Sequence, residues 1–212
     1  MRVALCQVNP TVGDFAGNRA RILAMARRAA DEEAHLAIFP ELALCGYPPR
    51  DLLDVPAFVE QAERALTKLA DELPRGVAVL LGTVQRGPAQ AARPLRNVAV
   101  LLLDGQVRAT IAKRLLPTYD VFDEDRYFEP GGPSAPFVLD GVRFGVTICE
   151  DAWNDVETPL QERRYPVDQV PLDRALALDA LGHRAERIAQ VAPDQALVDD
   201  ARQAARAGQH AE

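Results

Sequence analysis

Hydrophobic and polar positions alternate in two ways along the first 84 residues of the chain. Short runs rich in apolar and β-branched residues predict buried strands over 2–8, 35–41 and 76–84. Between these runs, apolar residues recur every three or four positions, which predicts amphipathic helices over 18–34 and 55–73. Asn18 stands at the start of the first helical pattern and is its predicted N-cap. Strands that alternate with helices in this way are typical of a layered α/β domain.

Two later segments have a different pattern, in which two apolar runs flank an Asp-Gly pair. The segment 97–113 has this pair at Asp104-Gly105, and the segment 137–149 has it at Asp140-Gly141. Asp-Gly between apolar runs favours a β-hairpin with a type I′ turn, because that turn needs positive φ at both central residues. Hairpins added to alternating helices and strands indicate an α/β fold with a mixed sheet.

The pattern changes after about residue 168, where the chain becomes rich in Ala, Arg, Asp and Gln. Helical spacing of Leu172, Leu176, Leu178 and Leu181 predicts one helix, and 194–207 could form another. The other interpretation is a disordered tail. We therefore expect a domain at 1–168 and a divergent, Ala/Arg-rich helical or disordered tail at 169–212, without choosing between a divergent end, a truncation and a shifted reading frame.

Composition and charge exclude several classes of function. A net charge of -7 does not suggest nucleic-acid binding, and no apolar run has the length of a membrane span. The three cysteines lack CxxC spacing, which favours a reducing compartment, and we expect a cytoplasmic protein. The histidines are scattered at His35, His183 and His210, so no metal site is predicted.

Three of the predicted strands end in residues whose side chains could take part in catalysis, namely Glu41, Lys113 and Cys149. Taken singly, they would be a solvated loop acid, a surface lysine and a small core residue. Together they form a base, a cation and a nucleophile. Cys149 is followed at once by Glu150 and Asp151, whose charges would raise the pKa of its thiol, so a cation would have to offset them.

The segments "FPELALCGYPPRDLL" (39–53), "KRLLPTYDVFDEDRYFEPG" (113–131) and "GVTICEDAWND" (145–155) carry a family resemblance. They resemble the nitrilase, or carbon-nitrogen hydrolase, superfamily, and most narrowly the N-terminal glutaminase domain of glutamine-dependent NAD+ synthetases. This resemblance implies a four-layer α-β-β-α sandwich, which we expect to be incomplete here and to end in the helical tail. It also implies hydrolysis of the amide of glutamine through a cysteine thioester, and we expect weak or absent activity from this short chain.

The resemblance also implies a role for each site residue. Glu41 would be the general base, Cys149 the nucleophile, and Lys113 with the backbone N–H of Glu150 the oxyanion donors. The additional acid of the superfamily would be Glu124. The substrate-lining positions would be Tyr47, Tyr119 and Phe122.

The same resemblance bears on cofactors and partners. No SGGxDS-like loop, GxGxxG or GxxxxGK[ST] occurs in the sequence, so we expect no cofactor in this chain, with ATP and deamido-NAD+ bound by a separate synthetase domain or subunit. Glutamine is the expected substrate, and a homo-oligomer is the expected assembly. Two other hypotheses stay open: another amidase of the superfamily, such as an omega-amidase or carbamoylase, and a non-catalytic interaction module.

Overall fold

The structure is a computed structural model that describes residues 1–133 and 135–153, together with the backbone of 174–178. Its helices are α1 (Phe15–Asp31) and α2 (Pro56–Glu72). Its strands are β1 (Val3–Leu5), β2 (Leu36–Ile38), β3 (Ala78–Arg86), β4 (Leu95–Leu103), β5 (Gln106–Ala112), β6 (Phe137–Leu139), β7 (Val142–Ile148) and β8 (Arg174–Leu178). Short 3-10 turns occupy Arg50–Asp54, Glu124–Arg126 and Cys149–Trp153.

The described strands form two sheets, and both are mixed. The first has the order β1-β2-β3-β4-β5, with parallel pairs up to β3 and antiparallel pairs from β3 onward. The second has the order β6-β7-β8, in which β7 is antiparallel to β6 and parallel to β8. The predicted α/β class with a mixed sheet is therefore confirmed.

The first sheet is buried on both faces, because helices cover one face and the second sheet covers the other. The helix side contains residues of α1 and α2 packed on Val79, Leu81, Val98, Val100 and Leu102. The inter-sheet side joins Leu36, Ile38, Ala78, Leu80, Ala99, Leu101 and Ile111 to Phe137, Phe144, Val146 and Ile148. Burial on both faces explains why β3 and β4 are almost continuously apolar rather than alternating.

Both Asp-Gly turns have the conformation that the sequence predicts. Asp104 and Gly105 have φ of 52° and 77°, and Asp140 and Gly141 have φ of 48° and 77°. Positive φ at both central positions gives the twist that a tight antiparallel hairpin needs. The two hairpins are β4–β5 and β6–β7.

The N-cap predicted at Asn18 is wrong. Helix α1 begins earlier, and the Asp14 side chain caps it by accepting a hydrogen bond from the Gly17 N–H at 2.9 Å. Asn18 is buried inside the helix, where its amide binds both main-chain groups of Thr11 and the carbonyl of Leu44. Its polar groups therefore hold a loop against the helix instead of closing the helix end.

The helix predicted over 172–181 is also wrong for part of its length. Arg174–Leu178 is a strand that pairs in parallel with β7, from Phe144↔Arg174 to Ile148↔Leu178. The apolar residues of this segment fit a strand as well as a helix, and as a strand the segment pairs with the N–H and C=O groups at the edge of β7, which a helix could not do. The rest of the predicted tail and the fourth, helical layer of the predicted sandwich lie outside the described residues.

Candidate active site

The three predicted catalytic residues lie just after the carboxyl ends of three strands. Glu41 follows β2 and Lys113 follows β5, two strands that run in the same direction in the first sheet. Cys149 follows β7 of the second sheet and packs against the inter-sheet core. Since all three strands border the layer between the sheets, their ends deliver a carboxylate, an ammonium and a thiol to one end of that layer.

Lys113 is the centre of a buried cluster of charges. Its Nζ donates to Oε1 of Glu41 at 2.8 Å and to the two carboxylate oxygens of Glu124 at 2.9 and 2.8 Å. The side chains of Lys113 and Glu41 have no exposure to solvent, and that of Glu124 is only 6% exposed. One ammonium is therefore shared between two carboxylates in a medium where charges interact strongly.

The position of Glu41 depends on a close approach between its turn and β3. Leu42 has a positive φ of 48°, and the turn is joined to Gly82 by hydrogen bonds in both directions. A Cβ on Gly82 would lie 2.2 Å from the Leu42 nitrogen and 2.6 Å from the Glu41 Cα. Only glycine at this position lets the turn that carries Glu41 lie against the sheet.

Burial and charge determine the protonation of this cluster. Burial raises the pKa of Glu41 to about 7, against the opposing effect of Lys113 and with a further increase from Glu124. Burial by itself would lower the pKa of Lys113. The carboxylates of Glu41 and Glu124 outweigh it, and a Cys149 thiolate adds in the same direction, so the pKa of this ammonium lies above the usual lysine value.

Cys149 occupies a sharp turn at the end of its strand. It has a positive φ of 48° and begins the 3-10 turn Cys149–Trp153. Its side chain is half-buried, in contrast to Cys6 and Cys45, which are buried and whose thiol pKa values burial raises to about 11 and 12. Cys6 and Cys45 are therefore poor nucleophiles at neutral pH, because the thiolate is the attacking form.

The two acids that follow Cys149 are both engaged in hydrogen bonds. The Glu150 carboxylate accepts a hydrogen bond from the Tyr119 hydroxyl at 2.8 Å. Asp151 is buried and accepts from the backbone N–H groups of Arg114, Leu115 and Ile148 at 3.0, 2.8 and 3.2 Å. Asp151 thus joins the turn of Cys149 to the segment that follows Lys113, which sequence reasoning did not predict.

The aromatic residues predicted to line the substrate lie around this cluster. The Tyr47 hydroxyl donates to Oε1 of Glu124 at 3.1 Å, and the Tyr47 ring lies 6.5 Å from that of Phe122. Tyr119 is largely exposed, and its ring contacts that of Phe122 edge-on with 5.6 Å between the ring centroids. Its hydrogen bond to Glu150 is the main cause that raises the Tyr119 pKa to about 12. A cavity of about 220 Å³ is bordered by Tyr47, Phe122 and Glu124.

Asn97 is a second site residue that sequence reasoning missed. It lies on β4, is buried, and donates from Nδ2 to Oε1 of Glu41 at 2.6 Å. The main-chain carbonyl of Asn97 accepts a hydrogen bond from the backbone N–H of Lys113 at 2.8 Å. The signal that could have found it is a polar side chain within an apolar run predicted to be buried on both faces.

The described residues contain neither a metal-binding cluster nor a helix able to span a membrane. Among the described residues, no group of three His, Cys, Asp or Glu side chains could hold a metal ion. In the same part of the chain, neither helix combines the length and the apolar character that crossing a bilayer requires.

Comparison with known proteins places this site in a family. Residues 2–158 match the model of the carbon-nitrogen hydrolase family. A glutamine-dependent NAD(+) synthetase of Synechocystis sp. is 50% identical over 156 residues, which are 72% of this chain and 28% of that protein. The corresponding protein of Thermotoga maritima is 40% identical over 158 residues, 74% of this chain and 27% of its own length. The chain therefore spans little more than a quarter of these relatives.

Solved structures of related proteins share the fold of this chain. A glutamine-dependent NAD+ synthetase from Acinetobacter baumannii, in complex with ADP, is 34% identical with a TM-score of 0.73, over 84% of this chain and 32% of that one. An amidase from Nesterenkonia sp. AN1 with acrylamide added at its active-site cysteine is 27% identical with a TM-score of 0.63, over 84% of this chain and 66% of that one. The fold is therefore that of the nitrilase-like proteins. From the family match and these relatives together, the chain belongs to the carbon-nitrogen hydrolase family.

Proposed function

We propose that this chain hydrolyses the side-chain amide of glutamine through a thioester on Cys149. The observation that carries the proposal is the buried Lys113 ammonium, which donates to the carboxylates of Glu41 and Glu124. The same end of the inter-sheet layer carries the half-buried thiol of Cys149. The matching synthetases are glutamine-dependent by name, and the Nesterenkonia amidase reacts at a cysteine. These likenesses support glutamine as the substrate and Cys149 as the nucleophile.

The first half of the proposed reaction forms the thioester. Glu41 takes the proton of the Cys149 thiol, and the sulfur attacks the carboxamide carbon, forming a C–S bond. The backbone N–H of Glu150 and the Lys113 ammonium stabilise the oxyanion, and one such donor lowers the barrier by about 3 kcal/mol. The C–N bond then breaks, and Glu41 returns its proton to the leaving ammonia.

The second half releases glutamate. A water molecule gives a proton to Glu41 while its oxygen attacks the thioester carbon. The C–S bond then breaks, and Glu41 returns that proton to the sulfur of Cys149. Glu41 thus acts alternately as base and acid, which suits a pKa of about 7 near neutral pH. The additional acid Glu124 holds the Lys113 ammonium from the other side, and Tyr47 in turn holds Glu124.

The wider role extends beyond this chain. We propose that the ammonia serves the synthesis of NAD+ from deamido-NAD+, and that ATP and deamido-NAD+ bind to a synthetase domain or subunit rather than to the residues discussed above. A cytoplasmic location and a homo-oligomeric state complete the proposal.

The test is a comparison of substrates with the purified full chain and with Cys149→Ala. Glutamine, asparagine, α-ketoglutaramate and an N-carbamoyl amino acid are each supplied, and ammonia release is measured. We expect glutamine to be hydrolysed fastest, with glutamate and ammonia in equal amounts, and no release by Cys149→Ala. Preference for α-ketoglutaramate or a carbamoyl substrate would point to another amidase activity. No turnover of any amide by the folded chain would favour a non-catalytic module.

A further inference from the structure

Asn97 contacts two of the three residues at the centre of the site. Its side-chain Nδ2 donates to Oε1 of Glu41, and its main-chain carbonyl accepts from the Lys113 backbone N–H. Strand alternation places it on the same face of β4 as Ala99 and Leu101, which border the layer between the sheets. One residue therefore ties the end of β5 and the carboxylate after β2 to the same point of β4.

The orientation of the Asn97 amide follows from its partner. A carboxylate oxygen accepts hydrogen bonds and donates none, so the amide presents its NH₂ group to Glu41. The other amide atom, Oδ1, is buried and has no hydrogen-bond partner within the described part of the chain. Burying an acceptor without a donor costs free energy, and an apolar side chain of this size would avoid that cost. The hydrogen bond from Asn97 to Glu41 offsets it.

The consequence for Glu41 is that its two carboxylate oxygens are no longer equivalent. Oε1 accepts from both Asn97 and Lys113, at 2.6 and 2.8 Å. Oε2 is buried and has no hydrogen-bond partner among the residues that the structure describes. An oxygen held by two donors is a weak proton acceptor, and the oxygen without a donor is the stronger one.

We propose that Asn97 is a positioning residue, which holds Oε1 of Glu41 so that Oε2 is the atom that exchanges protons with Cys149. In this proposal Asn97 acts through Glu41, to which its side chain donates. The inference rests on the proposed role of Glu41 as general base. It does not require that glutamine be the substrate.

The experiment follows the alkylation of Cys149 by iodoacetamide between pH 5 and 9, with peptide mapping to separate Cys149 from the other cysteines. This readout needs no turnover of glutamine. The variants are Asn97→Leu, of similar size without the donor, and Asn97→Ser, which keeps a hydroxyl donor. The matched control is Thr83→Val on β3, where a buried hydroxyl without a hydrogen-bond partner in the described region is removed. Glu41→Gln is the reference for loss of the base.

The expected result has a definite sign. The hydrogen bond from Asn97 favours the carboxylate form, so its loss raises the pKa of Glu41 above its present value. The acid limb of the alkylation profile should therefore move to higher pH in Asn97→Leu, by about one pH unit, with a smaller shift in Asn97→Ser and none in Thr83→Val. Where glutamine is turned over, kcat should fall about 10-fold or more with KM nearly unchanged, since substrate contacts remain.

The proposal is overturned if the profile of Asn97→Leu coincides with that of the wild type, or if Glu41→Gln leaves the profile unchanged. If Asn97→Leu does not unfold cooperatively, the comparison of Asn97→Ser with Thr83→Val decides in the same way. Absence of glutaminase activity in the wild type would contradict the proposed substrate. It would leave the shift in the alkylation profile as the test of Asn97.

Discussion

At the residue scale, the Lys113 ammonium balances two buried carboxylates. This ammonium makes three hydrogen bonds, one to Glu41 and two to Glu124. The Lys113 side chain has no exposure to solvent. A buried ion pair adds little net stability over an apolar pair, but removing one partner leaves charges that are buried and unpaired. Substitution of Lys113 should therefore affect both stability and chemistry.

Lys113→Met keeps most of the side-chain volume and removes the charge and the donors. We expect the free energy of unfolding to fall by about 3–5 kcal/mol, because Glu41 and Glu124 then face each other without a cation. Any amidase activity should fall at least about 100-fold, the effect of losing one oxyanion donor. Cys149 should also be alkylated more slowly. The matched control is Lys68→Met on the exposed side of α2. Equal alkylation rates for wild type and Lys113→Met across pH 6 to 9 would contradict this role.

The raised pKa of Glu41 gives a prediction for stability against pH. Because burial raises that pKa to about 7, the folded state holds a proton that the unfolded state releases near the ordinary value of 4.5. The contribution of Glu41 to stability is therefore complete below about pH 4.5 and is lost as the pH rises through about 7. Buried Asp151, whose pKa burial raises to about 6, acts in the same direction.

The measurement is thermal unfolding at pH 5.5 and pH 8.0 for the wild type and for Glu41→Gln. The wild type should lose more stability between the two pH values than Glu41→Gln, which keeps the side-chain shape and has no proton to release. Asp151 is present in both proteins, so its contribution to the pH dependence is common to both. An equal pH dependence in the two proteins would show that Glu41 ionises with an ordinary pKa.

At the element scale, the contact between the Glu41 turn and β3 offers a test of the geometry. In Gly82→Ala the new methyl group would overlap the backbone of Glu41 and Leu42, which cannot move aside as a flexible side chain could. We expect the free energy of unfolding to fall by about 1–3 kcal/mol, as for overpacking in a core, together with a loss of Cys149 reactivity. Gly132 is the matched control, because a methyl group there meets nothing within 4 Å.

The expected outcome for Gly132→Ala is a change of less than about 0.5 kcal/mol, as for most surface substitutions. Chemical denaturation of both variants and of the wild type measures the difference. If Gly82→Ala is as stable as Gly132→Ala, the turn that carries Glu41 does not lie against β3 as described.

The elements themselves show which predictions a sequence supports. Helices α1 and α2, the two hairpins and their Asp-Gly turns depend on local periodicity and on turn chemistry, and the structure has each of these. Strand β8 depends on an edge offered by a distant part of the chain, and its residues Ala175, Leu176, Ala177 and Leu178 suit either a helix or a strand. Asn18 was mistaken for a cap because a polar residue before an apolar pattern has the same appearance whether it caps a helix or binds a neighbouring loop.

At the scale of the whole molecule, the sequence predicts candidate residues but not the hydrogen bonds that join their segments. The strand ends and the family resemblance predict Glu41, Lys113 and Cys149, the resemblance alone predicts Glu124, and the catalytic roles of all four stay predictions. The hydrogen bonds of Asn97 and Asp151 join segments that are 56 and 37 residues apart. No local pattern encodes such pairs, since they arise only when the two sheets and their strand order are known.

The order of strands explains how the site assembles. Strand β2 is parallel to β3, and β4 and β5 follow in antiparallel order. Strands β2 and β5 therefore run in the same direction, and their carboxyl ends lie at the same end of the sheet. The second sheet then packs on the inter-sheet face and adds the end of β7. The cysteine and the charged cluster therefore meet only when both sheets are formed, and reactivity at Cys149 reports on the whole assembly.

The most direct test of the account is covalent labelling of the full chain by a glutamine-mimicking diazo-ketone at neutral pH. Intact mass and peptide mapping should show one equivalent bound at Cys149, prevented by an excess of glutamine and absent in Cys149→Ala. Cys6 and Cys45 should stay unlabelled, because both are buried and burial raises their thiol pKa values. Labelling on Cys6 or Cys45, labelling that persists in Cys149→Ala, or a folded chain that takes up no label would contradict a glutamine-directed nucleophile at Cys149.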